Sequence, residues 1–127
     1  MSNSGACNAA PTLIFACSGA ADVGALADQA ARRLTREGAG NMFCLAGIGG
    51  RVSGIVKSTE AAAKILVIDG CPLDCARKCL EQAEILGFQH LQLAELGFQK
   101  GQSPVDEASV RRAVEAGRDK LAGPCCP

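Results

Sequence analysis

Four short apolar runs, separated by segments with helical periodicity, limit this chain to few folds. The runs occupy residues 12–19, 41–46, 64–69 and 90–94, and turn-forming residues close most of them. In the first intervening segment, apolar residues recur at helical spacing between charged ones: Val23, Leu26, Ala27, Ala30 and Leu34. Such alternation implies parallel strands joined by right-handed crossovers, with helices on both faces of the sheet. We therefore predict a small three-layer α/β domain with a mostly parallel four-stranded sheet, in the flavodoxin-like or Rossmann-like order 2-1-3-4.

The length of the chain and its turn signals predict one domain. A chain of 127 residues has the usual size for a single hydrophobic core. We expect this domain to span residues 11–123, between tails at 1–10 and 124–127. Pro72 is placed to open the third helix, and Ser103-Pro104, followed by two acidic residues, is placed to open the last.

The charge balance and the shortage of aromatic residues exclude several kinds of partner. Lys and Arg number 13, Asp and Glu also number 13, and the sequence has no Trp or Tyr. Such a chain lacks the basic surface and the stacking platforms that bind nucleic acids. Its start lacks the pattern of a signal peptide, and no apolar stretch approaches the roughly 20 residues of a membrane span. We expect a cytoplasmic protein that binds neither nucleic acid nor membrane. Its 8 cysteines then indicate metal binding or thiol chemistry before disulfides.

Four of these cysteines fall where parallel strands end. Cys17 ends the first predicted strand, Cys44 lies in the second, and Cys71 follows the third. The carboxyl ends of parallel strands lie along one edge of a sheet, where open α/β folds place their ligands. Cys75 joins them from the first turn of the next helix, because residues four apart share a helix face. We predict that these four thiols converge at this edge, where the positive end of the helix lowers thiol pKa values.

Four sulfur donors favour a soft or borderline metal ion. Zn²⁺ is the default for such a set, and an iron–sulfur cluster or another soft metal is the alternative. A complete shell of four cysteines leaves no position for water, which favours a structural, sensory or transfer role over hydrolysis. If both were helical, Cys79 would lie about 12 Å along the axis from Cys71, too far to share one ion. Cys79 is interpreted as a small core residue.

The cysteine pattern resembles a known family. Asp69-Gly70-Cys71, with Cys17-Ser18-Gly19 upstream, Cys44 between them and Cys75 downstream, is similar to the DGC-domain proteins. These small prokaryotic proteins are named for that tripeptide and described as zinc-binding through four cysteines. The resemblance covers roughly residues 12–100 and implies that the metal ligands are Cys17, Cys44, Cys71 and Cys75. It implies no defined biochemical role, and Cys7, Cys79, Cys125 and Cys126 lie outside its pattern.

Asp69 and Gly70 allow more than one interpretation. Gly70 permits a tight strand-to-helix turn, or a close approach of the backbone to an ion. Asp69 can hold that turn by accepting backbone N–H bonds, or can steady a metal ligand from outside the coordination shell. An ordinary Asp-Gly turn at the end of a strand explains both residues equally well.

Two enzymatic alternatives use the same cysteines. Cys71 and Arg77 match the Cys-x₅-Arg pattern of cysteine phosphatases and of the arsenate reductases that resemble them. That chemistry needs a thiolate nucleophile, a cradle of N–H donors and a guanidinium. Pro72 removes one donor, Asp74 adds negative charge, and neither Ser nor Thr follows the arginine. A thiol oxidoreductase could instead pair Cys71 with Cys75, although three residues intervene where redox motifs have two.

The remaining candidates add little to this choice. Cys125 and Cys126 could capture a soft metal, or could belong to a tail without function. His90, the single imidazole in the chain, is interpreted as a surface residue on a weak edge strand. No glycine fingerprint or loop lysine of a nucleotide-binding site follows the first strand. The sequence therefore predicts a soft-metal-binding module and not an enzyme.

Overall fold

The computed structural model describes residues 10–123. Its sheet has four parallel strands, β1 (Thr12–Ala16), β2 (Asn41–Met42), β3 (Lys64–Asp69) and β4 (Gln89–Gln92). They lie in the order β2-β1-β3-β4, so the predicted order 2-1-3-4 is confirmed. Residues 1–9 and 124–127, which hold most of the predicted tails and include Cys7, Cys125 and Cys126, lie outside the described part of the chain.

Helices cover both faces of this sheet, as predicted. They are α1 (Asp22–Arg36), α2 (Leu45–Gly49), α3 (Ser53–Glu60), α4 (Cys75–Gln82) and α5 (Glu107–Leu121). Alternate residues of β1 and β3 point to opposite faces, so Ile14 and Leu66 pack with α1 and α5. Phe15 and Val67 pack on the other face with α2 and α4. Among residues 10–123, no helix is both long and apolar enough to cross a membrane.

Several element boundaries differ from those expected. β2 ends at Met42, because the chain turns into α2 after the last ladder bond, from Phe43 N–H to the Ile14 carbonyl at 2.8 Å. Cys44 therefore lies before α2 and not within a strand. Pro72 does not open α4, which begins at Cys75 after Asp74 adopts the left-handed conformation, with φ of 55°.

The last helix also starts later than Pro104 suggests. α5 begins at Glu107, and the Asp106 carboxylate accepts a hydrogen bond from Ser109 N–H at 2.8 Å. Asp106 is thus the N-cap residue, because its side chain satisfies a backbone donor of the first turn. Pro104 lies in the segment before the cap.

The edge of the sheet at β2 is closed by a side chain. Met42 N–H donates to Thr35 Oγ1 at 2.8 Å. The same hydroxyl donates to the Ala31 carbonyl at 2.9 Å, within α1. One backbone donor of this two-residue edge strand is therefore satisfied by the helix that precedes it.

An ion pair joins α1 to α5 across one face. The Nη1 and Nη2 atoms of Arg33 each donate to a different carboxylate oxygen of Glu107, at 2.7 Å. The hydrogen bonds to Arg33 lower the pKa of Glu107 from 4.5 to about 2. Because the folded state has the lower pKa, this contribution to stability is complete above about pH 4.5 and is lost as the pH falls towards 2.

Glu107→Gln should therefore lower the melting temperature at neutral pH, by no more than about 3 °C because the pair is exposed. The difference from the wild type should shrink between pH 5 and 2, as measured by thermal denaturation followed by circular dichroism. Glu115→Gln, on the exposed face of the same helix, is the control and should follow the wild type. A constant difference at every pH would contradict the role of this carboxylate.

Candidate metal centre

The structure places the four predicted ligands at one edge of the sheet. Cys17 directly follows β1, Cys44 directly precedes α2, Cys71 lies two residues after β3, and Cys75 is the first residue of α4. Cys17 and Cys71 are half-buried, whereas Cys44 and Cys75 are exposed. This is the carboxyl edge of the parallel sheet, where the sequence predicted them to lie.

Two cavities at this edge are each lined by several of the thiols. One, of about 690 Å³, is lined by Cys17, Cys44 and Cys79. The other, of about 470 Å³, is lined by Cys17, Cys71 and Cys75. Cys17 lines both and so lies between the other predicted ligands. Among residues 10–123, no three cysteine sulfurs lie within 4.8 Å of one another.

The interpretation of Cys79 as a small core residue agrees with its packing, but its environment also includes a cavity. Cys79 packs against the apolar cluster around Phe15, as a small core residue would. It also lines the cavity that holds Cys17 and Cys44. The helical distance between Cys71 and Cys79 does not predict this position, because Cys71 lies before α4. Cys79 instead faces α2, and its Sγ would lie 3.8 Å from a Cβ built at Gly49.

Close backbone packing holds the loops of Cys17 and Cys71 against α1. A Cβ built at Gly70 would lie 2.5 Å from the Val23 carbonyl oxygen, in α1. A Cβ at Gly24 would lie 2.5 Å from the carbonyl oxygen of Gly19, in the loop after Cys17. Real Cβ atoms do not approach backbone this closely, so only glycine allows these contacts. Gly70 therefore serves the packing of the strand-to-helix turn against α1.

Burial sets the proton affinity of two of these thiols. Desolvation raises the pKa of Cys17, although hydrogen bonds from the backbone of Gly19 and Gly70 oppose this effect. Desolvation is the main cause that raises the pKa of Cys79, and charge repulsion from Cys75 is the second. The expected lowering of thiol pKa is therefore wrong for Cys17, because burial outweighs the backbone donors. In the absence of metal, these two residues favour the thiol form.

Asp69 binds the N-terminus of α4. Its side chain is almost fully buried, and its two oxygens accept hydrogen bonds from Ala76 N–H at 2.8 Å and Arg77 N–H at 3.0 Å. One of the sequence interpretations of Asp69, as a residue that accepts N–H bonds in the turn, is thus confirmed. Since a carboxylate occupies these two donors, they are not free to bind the oxyanion that a phosphatase-like site requires. The Arg77 guanidinium lies 3.2 Å from Asp74.

The interpretation of His90 as a surface residue is wrong. Its side chain is 19% exposed, and its Nε2 lies 2.9 Å from Asp69 and 3.5 Å from Asp74. Potential ligand atoms of these three residues all lie within 4.8 Å of one another, so they form a possible metal-binding group. The pairing of β4 beside β3, which brings His90 next to Val67, could have revealed this group. The apolar runs alone do not specify the register of that pairing.

Comparison with known proteins identifies the family of this chain. The model of the DGC domain matches residues 13–116. The chain is 42% identical over 88 residues to the anaerobic and virulence modulator AnvM of Pseudomonas aeruginosa, covering 69% of this chain and 67% of that protein. No solved structure matches the chain significantly. The protein therefore belongs to the DGC domain family.

Proposed function

We propose that this protein binds a soft metal ion, zinc by default, through the thiolates of Cys17, Cys44, Cys71 and Cys75. The observation that supports this proposal is the position of Cys17 between two cavities that contain the other three thiols. The donor set fits zinc, because thiolate sulfur is a preferred zinc ligand and three separate loops supply it. Family membership supports the same proposal.

The proposed role is that of a metal-binding module in the cytoplasm. Four sulfur ligands would complete the coordination of the ion and leave no position for a reacting water. Reduced thiols persist in that compartment. A regulatory or sensory role is supported by the name of the relative, which describes a modulator. Structural and trafficking roles use the same site.

Asp69, Asp74 and His90 offer a second candidate metal site. Their potential ligand atoms already lie within 4.8 Å of one another. Two carboxylates and an imidazole form a harder donor set than four thiolates and suit a different range of divalent ions. Variants of the cysteines separate this possibility from the first.

We expect Cys17→Ser and Cys71→Ser to abolish stoichiometric zinc binding, because each removes a thiolate. The bound ion would link separate loops, so both changes should also remove the rise in melting temperature that zinc produces. Elemental analysis of protein purified without added metal, and thermal denaturation with and without zinc, measure these effects. In cobalt-substituted wild type, intense thiolate charge-transfer bands should appear.

Cys79→Ser is the matched control. It removes a thiol from the same edge of the sheet but not from the predicted ligand set, so zinc should remain bound. Equal zinc content in all three variants would discard the cysteine assignment and favour the group of Asp69, Asp74 and His90. Loss of zinc from Cys79→Ser alone would also discard it.

A further inference from the structure

The loop that carries Cys71 is held by a carboxylate on each side. Asp69 precedes Cys71 by two residues, and Asp74 lies between it and Cys75. Both carboxylates are buried, at 1% and 6% exposure. Asp74 N–H also donates to the Cys71 carbonyl at 3.2 Å. The positions of two proposed metal ligands therefore depend on what binds these two carboxylates.

Strand β4 binds both of them. His90 and Gln92 are alternate residues of β4 and so project to the same face of the sheet. His90 Nε2 lies 2.9 Å from Asp69 Oδ2, and Gln92 Nε2 donates to Asp74 Oδ1 at 2.7 Å. An ionised carboxylate only accepts hydrogen bonds, so this contact with Asp69 needs an N–H group on Nε2 of His90. His90 is also 3.5 Å from Asp74, which places it between the two anchors of the loop.

The backbone of Asp74 shows that this loop needs support. Its φ and ψ of 55° and 46° are left-handed, a conformation that costs free energy for residues other than glycine, although less for Asp and Asn than for most. This turn makes Cys75 the first residue of α4. The hydrogen bond from Gln92 and the ion pair with Arg77 at 3.2 Å hold the Asp74 side chain in place. Contacts from outside the loop thus maintain its shape.

We propose that His90 is a positioning residue for the thiolate metal site, acting through Asp69 and Asp74 on the loop that carries Cys71 and Cys75. This inference rests on the proposed function. His90 fixes the two carboxylates relative to β4, and the carboxylates fix the turn and the start of α4. The two sulfurs are then presented to an ion without further ordering of the loop, and affinity rises because less ordering accompanies binding.

The hydrogen bonds favour this role over direct coordination by His90. An ion on Nε2 would replace the proton that binds Asp69. An ion on the Asp69 oxygens would compete with the two backbone N–H groups that donate hydrogen bonds to them at 2.8 and 3.0 Å. Direct coordination therefore requires the N-terminus of α4 to lose its carboxylate partner, whereas the positioning role keeps every contact.

The test compares His90→Leu with His90→Gln. Leucine removes the donor, and glutamine restores a side-chain N–H group. Gln89→Leu, at an exposed position of the same strand, is the control for an added apolar residue. Zinc affinity is measured by competition with a chromophoric chelator, and the absorption spectrum of the Co²⁺-substituted protein is recorded. Both are measured at a temperature where circular dichroism shows each variant folded, so that lower stability alone does not alter the readout.

We expect His90→Leu to weaken zinc binding by about tenfold or more, the usual effect of losing support outside the coordination shell. Its cobalt charge-transfer bands should be weaker or shifted. His90→Gln and Gln89→Leu should remain close to the wild type in both measurements. Unchanged affinity and spectrum in His90→Leu would overturn the positioning role, as would a failure of His90→Gln to restore them.

Cys71→Ser, measured in parallel, separates this inference from the proposed function. If it loses zinc while His90→Leu binds normally, only the positioning role is wrong. If it keeps zinc while His90→Leu loses it, the ion lies on Asp69, Asp74 and His90, and both proposals are wrong. A wild type that binds neither zinc nor cobalt would likewise overturn both.

Discussion

Gly70→Ala is expected to destabilise the protein by about 3 kcal/mol, the upper part of the range for overpacking. The new Cβ would lie 2.5 Å from the carbonyl oxygen of Val23 and 2.6 Å from its carbonyl carbon. Both atoms belong to the backbone of α1, so no side-chain rotation can relieve the overlap. The turn after β3, which carries Cys71, must therefore move away from this helix. Urea denaturation followed by circular dichroism measures the loss of stability.

Gly54→Ala provides a matched control. Gly54 lies in α3, and a Cβ there meets nothing within 4 Å. Alanine should therefore stabilise the protein by about 0.5–1 kcal/mol through its higher helix propensity. The same change from glycine to alanine would thus lower the free energy of unfolding at residue 70 and raise it at residue 54. If Gly70→Ala proved as stable as the wild type, the tight contact between Gly70 and the backbone of α1 would not exist in solution.

Phe15→Ala is expected to cost about 3–5 kcal/mol, the usual loss for a large aromatic residue removed from a core. Phe15 is fully buried and is the fourth of the five residues of β1. Its ring packs edge to face against Phe43, with centroids 6.1 Å apart. Phe43 directly precedes Cys44, so the cavity left behind should also loosen one proposed metal ligand. Denaturant unfolding measures the first effect, and zinc affinity in the folded variant measures the second.

Phe88→Ala tests whether burial causes this loss. Phe88 packs only partly buried against the same apolar cluster, so its truncation should cost clearly less, and it should leave zinc affinity unchanged. Equal losses of stability in the two variants would show that Phe15 is not central to this core.

The strands could be predicted because short apolar runs mark them in the sequence, and the alternation of these runs with helices then favours the parallel order. β1 and β3 are buried along nearly all of their length, and such strands appear in a sequence as continuous aliphatic runs. The start of α4 could not be predicted in the same way. Pro72 suggested an early start, but the position of α4 depends on a carboxylate from β3 and on a left-handed turn at Asp74.

For the candidate site, the sequence predicts only the residues that lie at or soon after the ends of strands. The sequence places Cys17, Cys44 and Cys71 at one edge because parallel strands share their direction. It does not give the register of β4, whose pairing with β3 brings His90 to Asp69. Nor does it show that Cys79 reaches the cavity of Cys17 and Cys44, because that depends on how α4 packs against α2.

The hydroxyl of Thr35 has a consequence for self-association. An open edge strand is a template on which another molecule can add its own strand, and this route leads to aggregation and amyloid. Here the β2 edge is two residues long, and its Met42 N–H is already bound by Thr35. Growth of the sheet from that side is disfavoured, so any polymer built by strand addition to the described residues would have to begin at β4.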